Sequence, residues 1–320
     1  MNLNFGGAIN EAIKAELSSK TPTIFMGQDL HYNLYGYTEG LLNEFGSEKV
    51  INTPISEAST VGAAIGAALC GVRTIVDLTV ANFMYNAMDQ IVNIASKNAY
   101  MYNGKLELPI TIMCGEFYNC GNAAQHSDRL HSLFINFPGL KIVSPNSPQN
   151  AYSLLRSSVN DKNPVLYFVD RTLFYDTEDI DLDLVLNIGE NKIIRLGSKL
   201  TLIAISGCLK LALELEQEFS ERNFDIEIIE ISTINPLDIN LIYDSVKKTG
   251  KVVIADTSNR SGSIAEHISS LIVENIFNFL KSPISIVAYE DVPVPFASNL
   301  EKLLVPSKEK ILNSILKIYS

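Results

Sequence analysis

With 320 residues, 47% hydrophobic and 19% charged, the chain is long enough for two domains that each bury a core, and too apolar for a disordered protein. A formal net charge of −11 disfavours phosphate backbones and anionic membrane surfaces, which excludes nucleic acid and membrane from the expected partners. The four cysteines form no Cys-x-x-Cys or Cys/His cluster, which argues against a disulfide framework and a structural zinc site.

The N-terminus, Met-Asn-Leu-Asn-Phe-Gly-Gly, lacks a basic-then-apolar leader, and no stretch approaches the ~20 apolar residues of a membrane span, so a cytoplasmic protein is expected. Apolar spacing predicts a helix over 8–17, a strand over 23–26, a helix over 38–45 and a strand over 49–52. A helix made almost wholly of small residues follows to Gly71, then a strand over 74–78, a helix over 83–100 and a strand over 109–113. Beyond a loop over 115–122, the pattern gives a helix over 128–137, a strand over 140–143, a helix over 148–161 and a strand over 164–169.

Between 170 and 197 the pattern weakens into a polar connector with Asp176, Glu178, Asp179, Asp181 and Asp183, and we place a domain boundary there, at 185/186. The second half reads as strands over 200–205, 225–231, 251–255 and 284–287, with helices over 209–222, 263–280 and 308–318. Short, uninterrupted apolar strands separated by helices predict an α/β protein of two mostly parallel sheets, each buried on both faces.

Chemistry concentrates on Glu57. From Ala58 to Cys70 no side chain is ionisable, and Gly62, Ala63, Gly66 and Ala67 recur at helical spacing, so another backbone can approach this helix closely. A carboxylate at the mouth of such a seam loses hydration and must find a partner or a proton, which is how a catalytic acid is tuned. The competing reading places Glu57 in an ordinary first helical turn, favoured by the helix dipole, with Ser56 or Thr53 as the cap.

Four strings then occur in order: Thr53-Pro-Ile-Ser-Glu57 with its Gly/Ala helix, Asn82-Phe-Met-Tyr-Asn-Ala-Met-Asp-Gln90, Ala123-Ala-Gln-His-Ser127, and Pro138-Gly-Leu-Lys-Ile-Val-Ser-Pro145. Asp161-Lys-Asn-Pro164, Asn235-Pro-Leu-Asp238, Asp291-Val-Pro-Val-Pro295 and Leu300-Glu301 extend the series. Together they resemble the β subunit of the thiamine diphosphate-dependent E1 component of 2-oxoacid dehydrogenases, over nearly the whole chain.

The resemblance implies a transketolase-like pyrimidine-binding domain over 1–185 and a transketolase C-terminal-like domain over 186–320, in an α2β2 assembly with β–β contacts and the cofactor between α and β. It implies that Glu57 faces N1′ of the aminopyrimidine and activates the cofactor for decarboxylation of a small 2-oxo acid and acyl transfer. Phe83 would stack on the pyrimidine, Ile55 and Asn86 would complete its binding, and His126 would border the substrate and a lipoyl arm. Asp161 and Asn163, with the carbonyls of Ile110, Ser158 and Val159, match a potassium site of some members; a plain Asp/Asn turn explains those residues equally well. His131 matches no family role and reads as structural.

The diphosphate and its Mg2+ are held in the family by a Gly-Asp-Gly motif on the α subunit, and this chain contains no Gly-Asp-Gly. It is therefore expected to supply half a site and to act only with an α partner, with a lipoyl acyltransferase as a further partner. The loop 115–122 is bulkier than the family's Gly/Pro-rich version and carries a charge, Asp128 stands where Gln is common, and the Asp170-Arg171 and Asp256–Gly262 segments also differ. These departures leave two alternatives: a subunit of a split transketolase or carboligase, and a non-catalytic scaffold.

Overall fold

The computed structural model describes residues 1–319. Its larger sheet has seven strands in the order Thr233–Asn235, Lys141–Val143, Val165–Asp170, Ile110–Glu116, Arg73–Val80, Thr23–Gly27 and Val50–Asn52. Six of these run parallel, and only Thr233–Asn235 is antiparallel to its neighbour. A second sheet orders Ser285–Tyr289, Val252–Asn259, Leu200–Ile205, Ile226–Ile231 and Lys192–Arg195, with the last strand antiparallel. A short antiparallel pair ties Asn2–Asn4 to Thr177–Asp179. The α/β expectation of two mostly parallel sheets holds.

Helices cover both faces of the larger sheet, and for that reason its central strands are buried along their length and mostly apolar. Every residue of Ile110–Glu116 and of Val165–Asp170 is buried. One core cluster runs from Val61 and Ile65 through Ile112 and Phe134 to Ile205, Ile231 and Ile254, so the two sheets share a continuous apolar interior. The strand Thr233–Asn235 reinforces that junction by leaving the second half of the chain to pair with Lys141–Val143.

Three predicted helices are corrected. The stretch 83–100 is broken into a 3₁₀ helix Ala81–Ala87, a π turn Gln90–Ala95 and a short α-helix Asn98–Met101. The stretch 128–137 contains only the 3₁₀ turn Leu133–Asn136, because the preceding backbone is claimed by side chains elsewhere: Asp128 N donates to Asn82 Oδ1. The predicted helix 209–222 is two helices, Cys208–Leu213 and Glu216–Glu221.

The Pro138-Gly139 turn shows how tightly these segments close on the sheet. Gly139 has φ +98°, and a Cβ there would overlap the Ser96 carbonyl. Gly139→Ala is expected to destabilise the protein by about 3 kcal/mol or more, because strain and overlap act together. Gly40→Ala, also at positive φ but facing open space, is expected to cost about 1–2 kcal/mol from backbone strain alone. Thermal melts of the two variants check the difference, and equal losses would refute the close approach.

Candidate active site

The carboxyl ends of the parallel strands carry four buried carboxylates: Asp77, Glu116, Asp170 and Asp256. Asp77 is raised to about 6 by burial, against hydrogen bonds from Thr79 N (2.7 Å) and Tyr37 Oη (3.0 Å). Thr79 is a β-branched residue at φ +61°, an unusual conformation that Asp77 Oδ1 pins. That turn redirects the chain from the strand into Ala81–Ala87, the 3₁₀ helix bearing Phe83 and Asn86.

Glu57 opens the helix Glu57–Leu69 and is only 7% exposed. Asn86 Nδ2 donates to Glu57 Oε2 at 3.3 Å, the one hydrogen bond to this carboxylate among the described residues. The capping expected of Ser56 or Thr53 is not realised. Ser56 Oγ donates to Ser59 Oγ, and Thr53 Oγ1 accepts from Thr60 Oγ1. The first-turn reading therefore lacks its cap, and Glu57 is turned toward Asn86.

Phe83, partly exposed, meets the His126 ring edge to face with centroids 5.5 Å apart. The same two segments are joined through Asp128, whose Oδ2 accepts from Asn82 Nδ2 at 2.8 Å and Tyr85 Oη at 2.9 Å. Glu57, Asn86, Phe83 and His126 are thereby linked by direct contacts in two pairs, both of which include a residue of Ala81–Ala87. Ile55, two residues before Glu57, is 80% exposed. Beside the His126 segment lies a cavity of about 390 Å3, lined by Ala124 and Asp128 from the first sheet's loops and by Asn259, Ser261, Asp291 and Pro293 from the second.

The potassium-matching residues sit elsewhere. Asp161 and Asn160 line a cavity with Leu69 and Gly71, past the opposite end of the helix that Glu57 opens. Asp161 Oδ2 is bonded to the Lys141 ammonium, and Oδ1 accepts from Asn163 N at 2.9 Å. Asp161 N in turn donates to the Ser158 carbonyl at 3.2 Å, while Ile110 and Val159 are fully packed.

Sequence reasoning missed a fully buried cluster beneath this surface. His131 Nδ1 lies 3.0 Å from Glu116 Oε1, and His131 Nε2 lies 3.2 Å from Asp256 Oδ1. Both ring nitrogens face carboxylate oxygens, so both carry protons and donate. Burial alone would lower the imidazole, but Glu116 and Asp256 outweigh it and raise it to about 10. Asp256 is held below its usual range: burial would raise it, and the His131 bond together with Ser258 N and Ala265 N overcomes that. The available signal was two carboxylates, Glu116 at the end of Ile110–Glu116 and Asp256 directly after the apolar run Val252-Val-Ile-Ala255.

A second junction gathers on Asp170, which burial raises above the ordinary carboxylate range. It accepts from Tyr118 Oη (2.6 Å), Thr172 N and Oγ1, and, across to the second sheet, Ser206 Oγ (3.1 Å) and Gly207 N (3.0 Å). Arg129 donates to the Ser127 carbonyl and to Asn259 Oδ1, and stacks 4.0 Å from the Tyr289 ring centroid. The segment that carries His126 is thus bonded to both halves of the molecule.

Residues 2–176 match the family model described as transketolase, pyrimidine binding domain, and residues 189–311 match transketolase, C-terminal domain. Among curated proteins, the pyruvate dehydrogenase E1 component subunit beta of Rickettsia felis is 35% identical over 99% of this chain and 98% of its own length. The acetoin:2,6-dichlorophenolindophenol oxidoreductase subunit beta of Bacillus subtilis is 34% identical over 99% and 97%. In fold, the chain is similar to a solved structure titled split gene transketolase, inactive beta4 tetramer, with a TM-score of 0.81 at 18% identity over 97% and 96% of the two chains. Full-length identity above 30%, both domain matches and the order of the motifs agree: the chain belongs to the thiamine diphosphate-dependent family of 2-oxoacid dehydrogenase E1 β subunits, built from transketolase-type pyrimidine-binding and C-terminal domains.

Proposed function

We propose that this chain is the β subunit of an E1-type enzyme that decarboxylates a small 2-oxo acid and transfers the acyl group, and that it works only with an α-type subunit carrying a Gly-Asp-Gly motif. The observation that carries the reading is the buried Glu57 carboxylate, oriented by Asn86 and otherwise unengaged among the described residues. A carboxylate so placed can keep a proton at a ring nitrogen without competition from bulk water. Phe83 lies three residues before Asn86 on the same 3₁₀ helix, and Ile55, two residues before Glu57, is exposed; both would flank the pyrimidine.

Thiamine diphosphate, when bound, would supply the electron sink that decarboxylation needs. Glu57 would hold and return the proton at N1′, Asn86 would fix the carboxylate rotamer, and His126 would stand at the substrate side, where its imidazole can exchange a proton. Diphosphate and Mg2+ fall to the partner. A potassium ion would be held by Asp161, Asn163 and the carbonyls of Ile110, Ser158 and Val159, with Asp161 shared between the ion, the Lys141 ammonium and Asn163 N.

The partner surface fits the small-residue helix. Val61, Ala64, Ile65 and Ala68 pack inward, while Ala63 and Gly66 are exposed and a Cβ on Gly66 would meet nothing within 4 Å. Nothing inside the chain requires that glycine, whereas a second backbone crossing there would. We assign this face to assembly, with β–β contact included, and place the complex in the cytoplasm with residues 1–185 and 186–320 as its two domains. No helix among the described residues is long and apolar enough to cross a membrane.

A split transketolase or carboligase subunit is the second reading, favoured by the occupied space around Asp128 and the bulky 115–122 loop. The deciding experiment is co-expression with a Gly-Asp-Gly-containing partner, followed by a Mg2+/thiamine diphosphate screen of 2-oxo acids with 2,6-dichlorophenolindophenol as electron acceptor. Turnover with pyruvate or a branched-chain acid is expected. Cofactor binding with turnover only on aldehyde or sugar acceptors would replace the first reading by the second, and a complex that binds no cofactor would leave a scaffold.

A further inference from the structure

The backbone before His126 turns through three residues at positive φ, one of which is strained there. Asn119, Gly121 and Ala123 all have positive φ (56°, 72° and 60°), and Ala123, with ψ −176°, occupies a region that is essentially glycine's alone. Such a path persists only where the surroundings over-determine it. The His126 side chain contributes nothing to that: its ring is exposed, touches Phe83, and makes no hydrogen bond among the described residues, and only its amide reaches back, to the Ala123 carbonyl at 3.4 Å.

The restraint comes from the other domain. Glu301, on the helix Ser298–Leu304, is fully buried, and its two oxygens divide between two backbone donors of the loop. Asn119 N donates to Oε1 at 2.5 Å and Gly121 N donates to Oε2 at 3.0 Å. No lysine, arginine or histidine pairs with Glu301 among the described residues, and an apolar cluster of Tyr118, Tyr289, Val294 and Val305 lies alongside the loop. A buried carboxylate without a counter-ion is costly, and here both its oxygens are spent on fixing main-chain direction.

We propose that Glu301 is a positioning residue whose carboxylate holds the 119–123 backbone on the path that sets His126 against Phe83. The inference rests on the reading that His126 serves the reaction. The loop is then a structure assembled by both domains: Asp128 ties the segment after His126 to Asn82 and Tyr85, and Glu301 fixes the segment before it, so separation of the helix Ser298–Leu304 frees His126 on that side.

The test uses the assembled α–β complex and two readouts. Hydrogen exchange followed by mass spectrometry should show the amides of peptides spanning 117–126 exchanging at least ~10-fold faster in Glu301→Gln, since the amide group turns a donor toward one of the two backbone donors. With pyruvate and 2,6-dichlorophenolindophenol, kcat per bound cofactor should fall ~10-fold or more in Glu301→Gln, and the same change in a His126→Ala background should alter the remaining rate less than ~2-fold. Equal fold losses in both backgrounds, or unchanged exchange, would overturn the proposal, because a general structural defect acts regardless of His126. If Glu301→Gln does not assemble, it is combined with Ala123→Gly: glycine accepts φ +60° without strain, so the path needs less restraint, and part of the exchange protection and of kcat should return, the latter only when His126 is present; no return would overturn the proposal. A parent complex in which His126→Ala costs nothing would refute the functional reading, while the exchange result would still decide whether Glu301 fixes the loop.

Discussion

Glu57→Gln is expected to lower turnover of the assembled, cofactor-loaded complex by roughly 10²–10⁴-fold while leaving assembly intact. Glutamine has the same shape, and its carbonyl oxygen can accept the hydrogen bond that Asn86 Nδ2 now gives to Oε2, so the local packing survives. What it cannot do is take and return a proton. The helix Glu57–Leu69 should form normally as well, since no side-chain cap depends on the substitution and residues 61, 64, 65 and 68 continue to bury its inner face. Co-elution of the two subunits and an unchanged melting profile establish assembly, and single-turnover decarboxylation measures the chemistry. Full activity in this variant would remove Glu57 from the mechanism. A parallel collapse of assembly would instead make it the structural first-turn residue that its sequence position also allows.

The sequence carried the parallel strands and the motif residues, but not the edge strands Lys192–Arg195 and Thr233–Asn235, the pair Asn2–Asn4 and Thr177–Asp179, or the way the strands' ends are used. Uninterrupted apolar runs such as 109–113 and 164–169 announced a sheet covered on both sides, because periodicity disappears when both faces are buried. Glu57, Phe83 and His126 were legible because the strings around them are distinctive. The stretch 128–137 misled, since Leu130, Phe134 and Phe137 have helical spacing yet pack against the core from an irregular segment that holds only a 3₁₀ turn. That segment's conformation is decided by partners far away in sequence: Asn82 for Asp128, Glu116 for His131 and Asn259 for Arg129. Thr233–Asn235 pairs with Lys141–Val143 across about ninety residues, another arrangement no local pattern encodes. Glu301 stood in a recognised motif, but its acceptors' donors, the amides of residues 119 and 121, have no side-chain signature at all.

Replacing His131 with leucine is expected to destabilise the protein by about 3–5 kcal/mol, the largest stability effect anticipated here, because it strands Glu116 and Asp256 as uncompensated buried charges at the junction of the two sheets. The pH dependence separates this cause from lost packing. The folded imidazole titrates at about 10, above its ordinary 6.5, so its contribution is complete below about 6.5 and is lost as pH rises through 10. Asp256 is depressed, so its share is present above its ordinary 3.8 and is lost as pH falls below it. Asp77 is raised, with a penalty that grows between 3.8 and about 6, so it stays out of the alkaline window. The difference in thermal midpoint between the parent and His131→Leu should therefore be greatest near pH 6 and shrink steadily toward pH 10. A second variant, in which Glu116→Gln and Asp256→Asn accompany His131→Leu, should recover part of the loss at pH 6, because the stranded charges are gone. A gap that stays constant from pH 6 to 10, with no recovery in the triple variant, would mean that His131 fills space and that the charge pairing contributes nothing.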